Sequence, residues 1–236
     1  MPDVALPEPL VPAARELFGE RLPLAQRYAD LLATDGVVRG LIGPREAPRV
    51  WDRHLLNCVA MAELIPDGSA LVDVGSGAGL PGIALAIARP DLHVVLVESL
   101  ARRTAFLDEA VVLLGLTEQV SVVRGRAEES ARRLTPADVV TARAVAPLDR
   151  LATWCLPLAA IGGRLLALKG SSAAEEVAAH RAAIAGLGGG APVVRRCGEG
   201  LLDPPAIVVE IVREREANPR RNGYASHQPL ERRFRR

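Results

Sequence analysis

The stretch Asp73-Val74-Gly75-Ser76-Gly77-Ala78-Gly79-Leu80-Pro81-Gly82 constrains this chain more than any other. It follows the apolar run Ala70-Leu71-Val72 and precedes an apolar helical segment, Ile83 to Ala88. Strand, glycine-rich turn, helix is the arrangement that sets a cofactor against the carboxyl end of a parallel sheet. Four glycines within eight residues let backbone approach a ligand with no Cβ in the way. The turn also opens a helix, whose first N–H groups lack partners inside the helix and can meet polar ligand atoms.

Two cofactors compete at this turn. Gly77-Ala78-Gly79-Leu80-Pro81-Gly82 fits the dinucleotide pattern G-x-G-x-x-G. Its register against the strand is poor, because the first glycine after the strand is Gly75, and counted from there the third glycine falls on Leu80. What remains is an acidic residue followed by G-x-G-x-G, which resembles the S-adenosylmethionine loop of class I methyltransferases. The next strand should end in an acidic residue that holds ribose hydroxyls, about 20 residues on. Val94-Val95-Leu96-Val97 ends in Glu98. On these residues alone, a dinucleotide site or a plain glycine turn in another α/β domain stays open.

From residue 70 the pattern alternates. Strands are predicted over 70–74, 93–98, 119–124, 138–142, 164–169, 192–196 and 206–212, and helices over 80–88, 101–114, 127–133, 148–160 and 173–185. Such alternation implies a mostly parallel, doubly wound α/β sheet with right-handed crossovers. The last two strands are joined by a short loop without a helix, which suits an antiparallel pair. Seven strands ending in an antiparallel hairpin resemble the Rossmann-like class I methyltransferase sheet. Residues 8–65 read as helices, with Leu17, Leu24, Tyr28, Leu31 and Leu32 at helical spacing and a second helix from Ala47 to Leu64. The expected organisation is an N-terminal helical extension over 1–66, a catalytic domain over 67–214 and a basic tail over 215–236.

Composition narrows the function classes. No apolar run approaches the ~18 residues that span a bilayer. The start, Met1-Pro2-Asp3-Val4, lacks the basic and apolar blocks of a signal peptide. Cys58, Cys155 and Cys197 are scattered, as are the four histidines, so a reducing cytoplasm and no metal site are expected. A monomer is expected as well. Eight Arg against three Glu from Arg213 to Arg236 give a local charge of +5, on a body carrying 21 basic and 25 acidic residues. A basic tail on a mildly acidic body points to a polyanionic partner, although a solvated end explains the tail equally well.

The chain has 28 Arg and one Lys, Lys169. A compact ammonium on a flexible stem does what a planar guanidinium cannot. Ligands in doubly wound sheets sit at the carboxyl ends of the strands. Those ends hold the glycine loop, Glu98, Arg126-Ala127-Glu128, Thr141-Ala142-Arg143 and Lys169-Gly170. Arg143 suits a paired contact with a carboxylate or phosphate, or an internal salt bridge with Glu98, Asp73 or Glu128. Arg53 and His54 are adjacent on the second N-terminal helix; His54 is a candidate for substrate contact or a structural histidine. Asp203-Pro204-Pro205 resembles the Asp-Pro-Pro-aromatic motif of exocyclic-amine methyltransferases, but it precedes the last strand and lacks the aromatic. No Pro-Cys nucleophile follows the fourth strand. A site with neither clear base nor nucleophilic cysteine suits a target that is already a nucleophile, such as guanine N7. Guanine N7 and O6 accept a forked Arg or a Lys.

Taken together the segments resemble one family, the bacterial 16S ribosomal RNA guanine-N7 methyltransferases, also known as glucose-inhibited division protein B. The matching residues are Gly40 to Glu46, Trp51 to Asn57, Asp73 to Ile83, Val97 to Arg103, Arg126-Ala127-Glu128, Thr141 to Leu148 and Ala167 to Gly170. The resemblance implies a class I fold behind an N-terminal helical extension. It implies methyl transfer from S-adenosylmethionine to guanine N7 in the decoding region of the small ribosomal subunit. By resemblance Gly75, Leu80, Ala127, Glu128 and Arg143 would contact the cofactor, and Arg53, His54 and Lys169 would lie towards the RNA. With the loop and strand-end residues Asp73, Gly77, Gly79 and Glu98 added to the cofactor set, the expected catalytic residues are Arg143, Lys169, His54 and Arg53. The tail departs from the family's Arg-Arg-x-Gly-Thr-Pro-x-Lys-x-Pro-Leu, reading Arg220-Arg221-Asn222-Gly223-Tyr224-Ala225-Ser226-His227-Gln228-Pro229-Leu230. Few aromatics are available for base stacking, chiefly Trp51, Trp154 and Tyr224.

Overall fold

The strands are β1 (Ala70–Val74), β2 (His93–Glu98), β3 (Val120–Arg124), β4 (Ala137–Arg143), β5 (Ala159–Lys169), β6 (Val193–Cys197) and β7 (Ala206–Val212). The structure, a computed structural model, describes residues 4–143 and 146–217; Ala144-Val145 and the tail from Asn218, with Tyr224 and the terminal arginines, lie outside them. The strands make one sheet in the order β3-β2-β1-β4-β5-β7-β6. Parallel pairs join β3, β2, β1, β4 and β5. β7 runs antiparallel to both β5 and β6, so the antiparallel strand lies inside the sheet and β6 forms the edge.

The helices are α1 (Val11–Phe18), α2 (Leu22–Leu31), α3 (Asn57–Val59), α4 (Gly82–Ala88), α5 (Ala101–Leu113), α6 (Ala127–Ser130), α7 (Leu148–Cys155) and α8 (Ala173–Gly186). β1 carries apolar residues on both faces because helices cover both. One core holds α4, α5 and the N-terminal helices against one face; a second core holds α7 and α8 against the other. α4 is buried from Gly82 to Ile87, and α1, α2 and α3 all pack on it. Residues ahead of β1 therefore share a continuous core with the sheet. Without them Ile83, Leu85 and Ile87 would lose part of their cover, at roughly 1.5–3 kcal/mol for each side chain returned to water.

Three local expectations change. The segment from Ala47 to Leu64 is helical throughout but not uniformly α: a wide π stretch, Val50–Leu56, lies between tight turns, and a second π stretch covers Leu32–Gly36. α7 stops at Cys155 rather than 160, because Pro157 supplies no N–H to continue the ladder. β5 then begins at Ala159, five residues before the predicted 164; its pairing with β4 jumps from Ala137↔Ala159 to Val139↔Arg164. The jump is a bulge around Gly162-Gly163, which sequence alternation does not reveal.

Candidate functional site

The glycine loop leaves β1 and folds back on β2: Gly75 N–H donates to the Val97 carbonyl over 2.9 Å. Gly75, Gly77 and Gly79 all take positive φ, at 70°, 58° and 95°. Their burdens differ. At Gly79 a Cβ would sit 2.5 Å from Ile83 Cδ1 and 2.8 Å from the Tyr28 hydroxyl; at Gly82 it would sit 2.3 Å from Leu96 Cδ2 and 2.9 Å from Asp73 Oδ2. Gly79 thus makes room for α4 and α2, Gly82 permits α4 to pack on β1 and β2, and only the first part of the loop faces open space.

Asp73 is fully buried and faces neither recess described below. One carboxylate oxygen accepts the Gly82 N–H at 3.1 Å and the other accepts the Thr141 hydroxyl at 3.0 Å. Burial raises its pKa to about 6, against those hydrogen bonds. Asp73 thus ties the first turn of α4 to β1 and β4. Leu80 is likewise core, beneath the loop.

A first recess opens over β1, β2 and the turn after β3. Its lining includes Gly75, Glu98, Gly125, Ala127, Glu128 and Trp154. Glu98 accepts the Gly77 N–H at 3.1 Å and the Leu100 N–H at 2.9 Å, with Arg103 at 3.5 Å. Its carboxylate is therefore fixed at the carboxyl end of β2, where a sugar diol can be accepted. Trp154, on α7, was legible as an aromatic but not as part of this wall; Arg150 stacks over it at 5.3 Å. An acceptor for hydroxyls, a backbone cradle and the apolar Val74, Val97, Ala127 and Trp154 are the donor set an adenosine requires.

A second recess opens beside it over β4 and β5. Arg53, His54, Arg143 and Lys169 all line it, joined by Glu46, Asn57 and Glu176. Arg143 forms none of the salt bridges considered from sequence. Its Nη1 donates to Cys58 Sγ at 3.1 Å and its Nη2 meets His54 Nδ1. His54 is 5 % exposed. Burial first, and the Arg143 charge second, lower its pKa to about 4. Neutral His54 accepts from Arg143 at Nδ1 and carries its proton on Nε2. Nε2 lies 3.2 Å from Glu46 Oε2 and makes no hydrogen bond. Glu46 instead accepts from Arg53 at 3.1 Å. Lys169 donates to Glu176 at 2.7 Å and to the Ala146 carbonyl at 2.9 Å, while Glu176 also accepts the Leu148 N–H.

The four residues read as reactive thus gather in one recess, and Arg143 joins them rather than the first. Three cations meet two carboxylates there, and each titratable group already has a partner. Glu46 closes a family-like segment but had no role assigned from sequence, and Glu176 carries no motif; only folding sets them opposite Arg53 and Lys169. Among the described residues no helix is long and apolar enough to cross a membrane, and no cluster of three His, Cys, Asp or Glu could hold a metal.

Comparison with known proteins bears on the family and the fold. The family model described as rRNA small subunit methyltransferase G matches residues 21–202. A ribosomal RNA small subunit methyltransferase G of Salinispora tropica is 67% identical over 221 residues, covering 91% of each chain. One of Rhodococcus jostii is 58% identical over 211 residues, covering 89% of this chain and 92% of the relative. A crystal structure of a SAM-dependent O-methyltransferase from Thermotoga maritima superposes with a TM-score of 0.51 at 15% identity, covering 68% of this chain and 64% of that one. That likeness shows the fold: a class I S-adenosylmethionine-dependent methyltransferase sheet.

Proposed function

The chain belongs to the rRNA small subunit methyltransferase G family, and from that premise we propose that it transfers a methyl group from S-adenosylmethionine to N7 of a guanine in the decoding region of 16S rRNA. One observation carries the reading. Two recesses adjoin at the carboxyl end of the sheet, one with the groups an adenosine needs and one lined by cations that suit a purine edge.

S-adenosylmethionine, when bound, supplies an electrophilic methyl on a sulfonium. Glu98, Gly75, Ala127, Glu128 and Trp154 would hold its adenosine portion. Gly77 fixes Glu98 through its N–H, and Asp73, Gly79 and Leu80 support the loop from behind. The second recess takes the target base. Arg143 and Lys169 face it as donors for O6 of the guanine, which leaves the N7 lone pair free to attack the methyl, and Arg53 stands at its rim. His54 works through Arg143: its neutral Nδ1 holds the guanidinium in place. A depressed pKa and an occupied lone pair make it a poor general base. That suits N7, which carries no proton to remove, so rate enhancement rests on orienting the base against the methyl.

The test is methyl transfer from labelled cofactor to naked 16S rRNA and to intact 30S particles, with the modified base mapped. Label on N7 of a decoding-region guanine is expected. Label on an exocyclic amine, a ribose or a ribosomal protein would defeat the proposal.

A further inference from the structure

Helix α2 reaches the cofactor loop through one side chain. The Tyr28 hydroxyl donates a 2.8 Å hydrogen bond to the Ala78 carbonyl. Tyr28 is fully buried, and burial pushes its phenol well above the ordinary range, so it is a protonated donor. The same hydroxyl stands over Gly79, where a Cβ would approach it to 2.8 Å. The loop's left-handed glycine and the tyrosine are therefore built around each other. Seven residues earlier, Arg21 Nη1 approaches the carbonyls of Ala86 at 3.2 Å and Ile87 at 3.4 Å, at the far end of α4. Seven helical residues rise ~10.5 Å, about the length of α4. α2 thus lies antiparallel over α4, gripping the loop at one end and the last carbonyls at the other.

We propose that Tyr28 is a positioning residue for the S-adenosylmethionine site: its hydrogen bond to Ala78 sets the glycine loop, so that the N-terminal helices govern cofactor affinity without walling the cofactor recess. The inference rests on reading the first recess as the cofactor site. Ala78 is itself buried, so removing the hydroxyl leaves its carbonyl unpaired. The loop relieves that only by shifting, which moves Gly75 and Gly77 with it. By linkage, a bound cofactor must in turn tighten α2.

Tyr28→Phe keeps the ring and removes one O–H. Arg21→Met cuts the other grip, remote from the loop, and serves as the control for lost stability. Calorimetry on the full chain measures the cofactor Kd, thermal unfolding measures Tm, and methylation of 30S particles gives KM. In Tyr28→Phe the cofactor Kd rises about tenfold, ~1.4 kcal/mol, while KM for 30S particles holds. In Arg21→Met the Kd stays within about twofold whatever its Tm. A wild-type Kd in Tyr28→Phe, or equal weakening in both variants at equal Tm loss, overturns the positioning role and leaves the cofactor reading standing. A wild-type chain that binds no S-adenosylmethionine overturns both.

Discussion

Arg143 and His54 form one unit, joined at His54 Nδ1. His54 is depressed from 6.5 to about 4 by burial and by Arg143. Its ring carbons should therefore show no NMR titration between pH 8 and 5; a midpoint near 6.5 would release it for acid–base work. The same shift has a stability sign. With a folded pKa below the unfolded one, the His54 contribution is present above 6.5 and is lost as pH falls towards 4. Asp73 works oppositely: raised from 3.8 to about 6, its contribution is full below 3.8 and is lost as pH rises through 6. On acidification from pH 6.5 to 4, His54→Gln should accordingly lose less denaturant stability than wild type, and parallel pH curves would contradict this. Lys169 shows how far a residue can be read without its fold. Its rarity and strand-end position were visible, but its bond to Glu176 was not. Lys169→Met leaves Glu176 short of its cation, so it should cost about 1–3 kcal/mol of stability besides turnover. An unchanged Tm with lost turnover would mean that the ion pair matters only to the reaction.

At the scale of elements, sequence exposed whatever repeats with a period and concealed whatever breaks one. All seven strands and the glycine turn lay within a few residues of their predicted places, because β1, β2 and β4 are buried apolar runs and the exposed edge strand β6 and its partner β7 are marked by the turn residues between them. The π stretch Val50–Leu56 was invisible, since a helix that widens by one residue keeps its apolar content and changes only its phase. That phase sets His54 inward against Arg143 while leaving Arg53 at the rim. The glycine loop was legible as a site, yet two of its four glycines turn out to be packing devices. Gly82 is the sharper case: its φ is unexceptional, but Leu96 and Asp73 leave no room for a methyl. Gly82→Ala should destabilise by about 1–3 kcal/mol through overpacking, and should weaken cofactor binding through the displaced Asp73 brace. If urea unfolding finds less than ~0.5 kcal/mol, the brace is softer than its geometry implies.

For the whole molecule, topology decides where the chain leaves the sheet on its way to the basic tail. β7 runs against its parallel neighbours, so the chain leaves the sheet at the end opposite the glycine loop. There Arg213 is 7 % exposed, bonded to the Ala159 carbonyl and to Glu216. Arg215 adds a bond to the Ala185 carbonyl, at the end of α8. The last described residues are thus anchored about the length of β7, ~24 Å, from the strand ends that carry both recesses. Beyond Glu216 the sequence adds six Arg and one Glu. No feature of the sequence showed this separation, because it follows from strand direction and not from composition. With its attachment point that far from both recesses, the tail should act on affinity for the polyanion and not on the chemistry. Ending the chain after Glu216 should leave the cofactor Kd and single-turnover methylation at saturating RNA unchanged. RNA affinity should fall, and its dependence on salt should flatten by roughly 0.7 in log–log slope for each phosphate of single-stranded RNA that the tail no longer neutralises. If the truncated chain keeps the full salt slope, the arginines beyond Glu216 touch no phosphate, and the polyanion is held by the body alone. If single turnover at saturating RNA falls instead, the tail reaches across the sheet to the recesses, and the separation imposed by β7 does not isolate it.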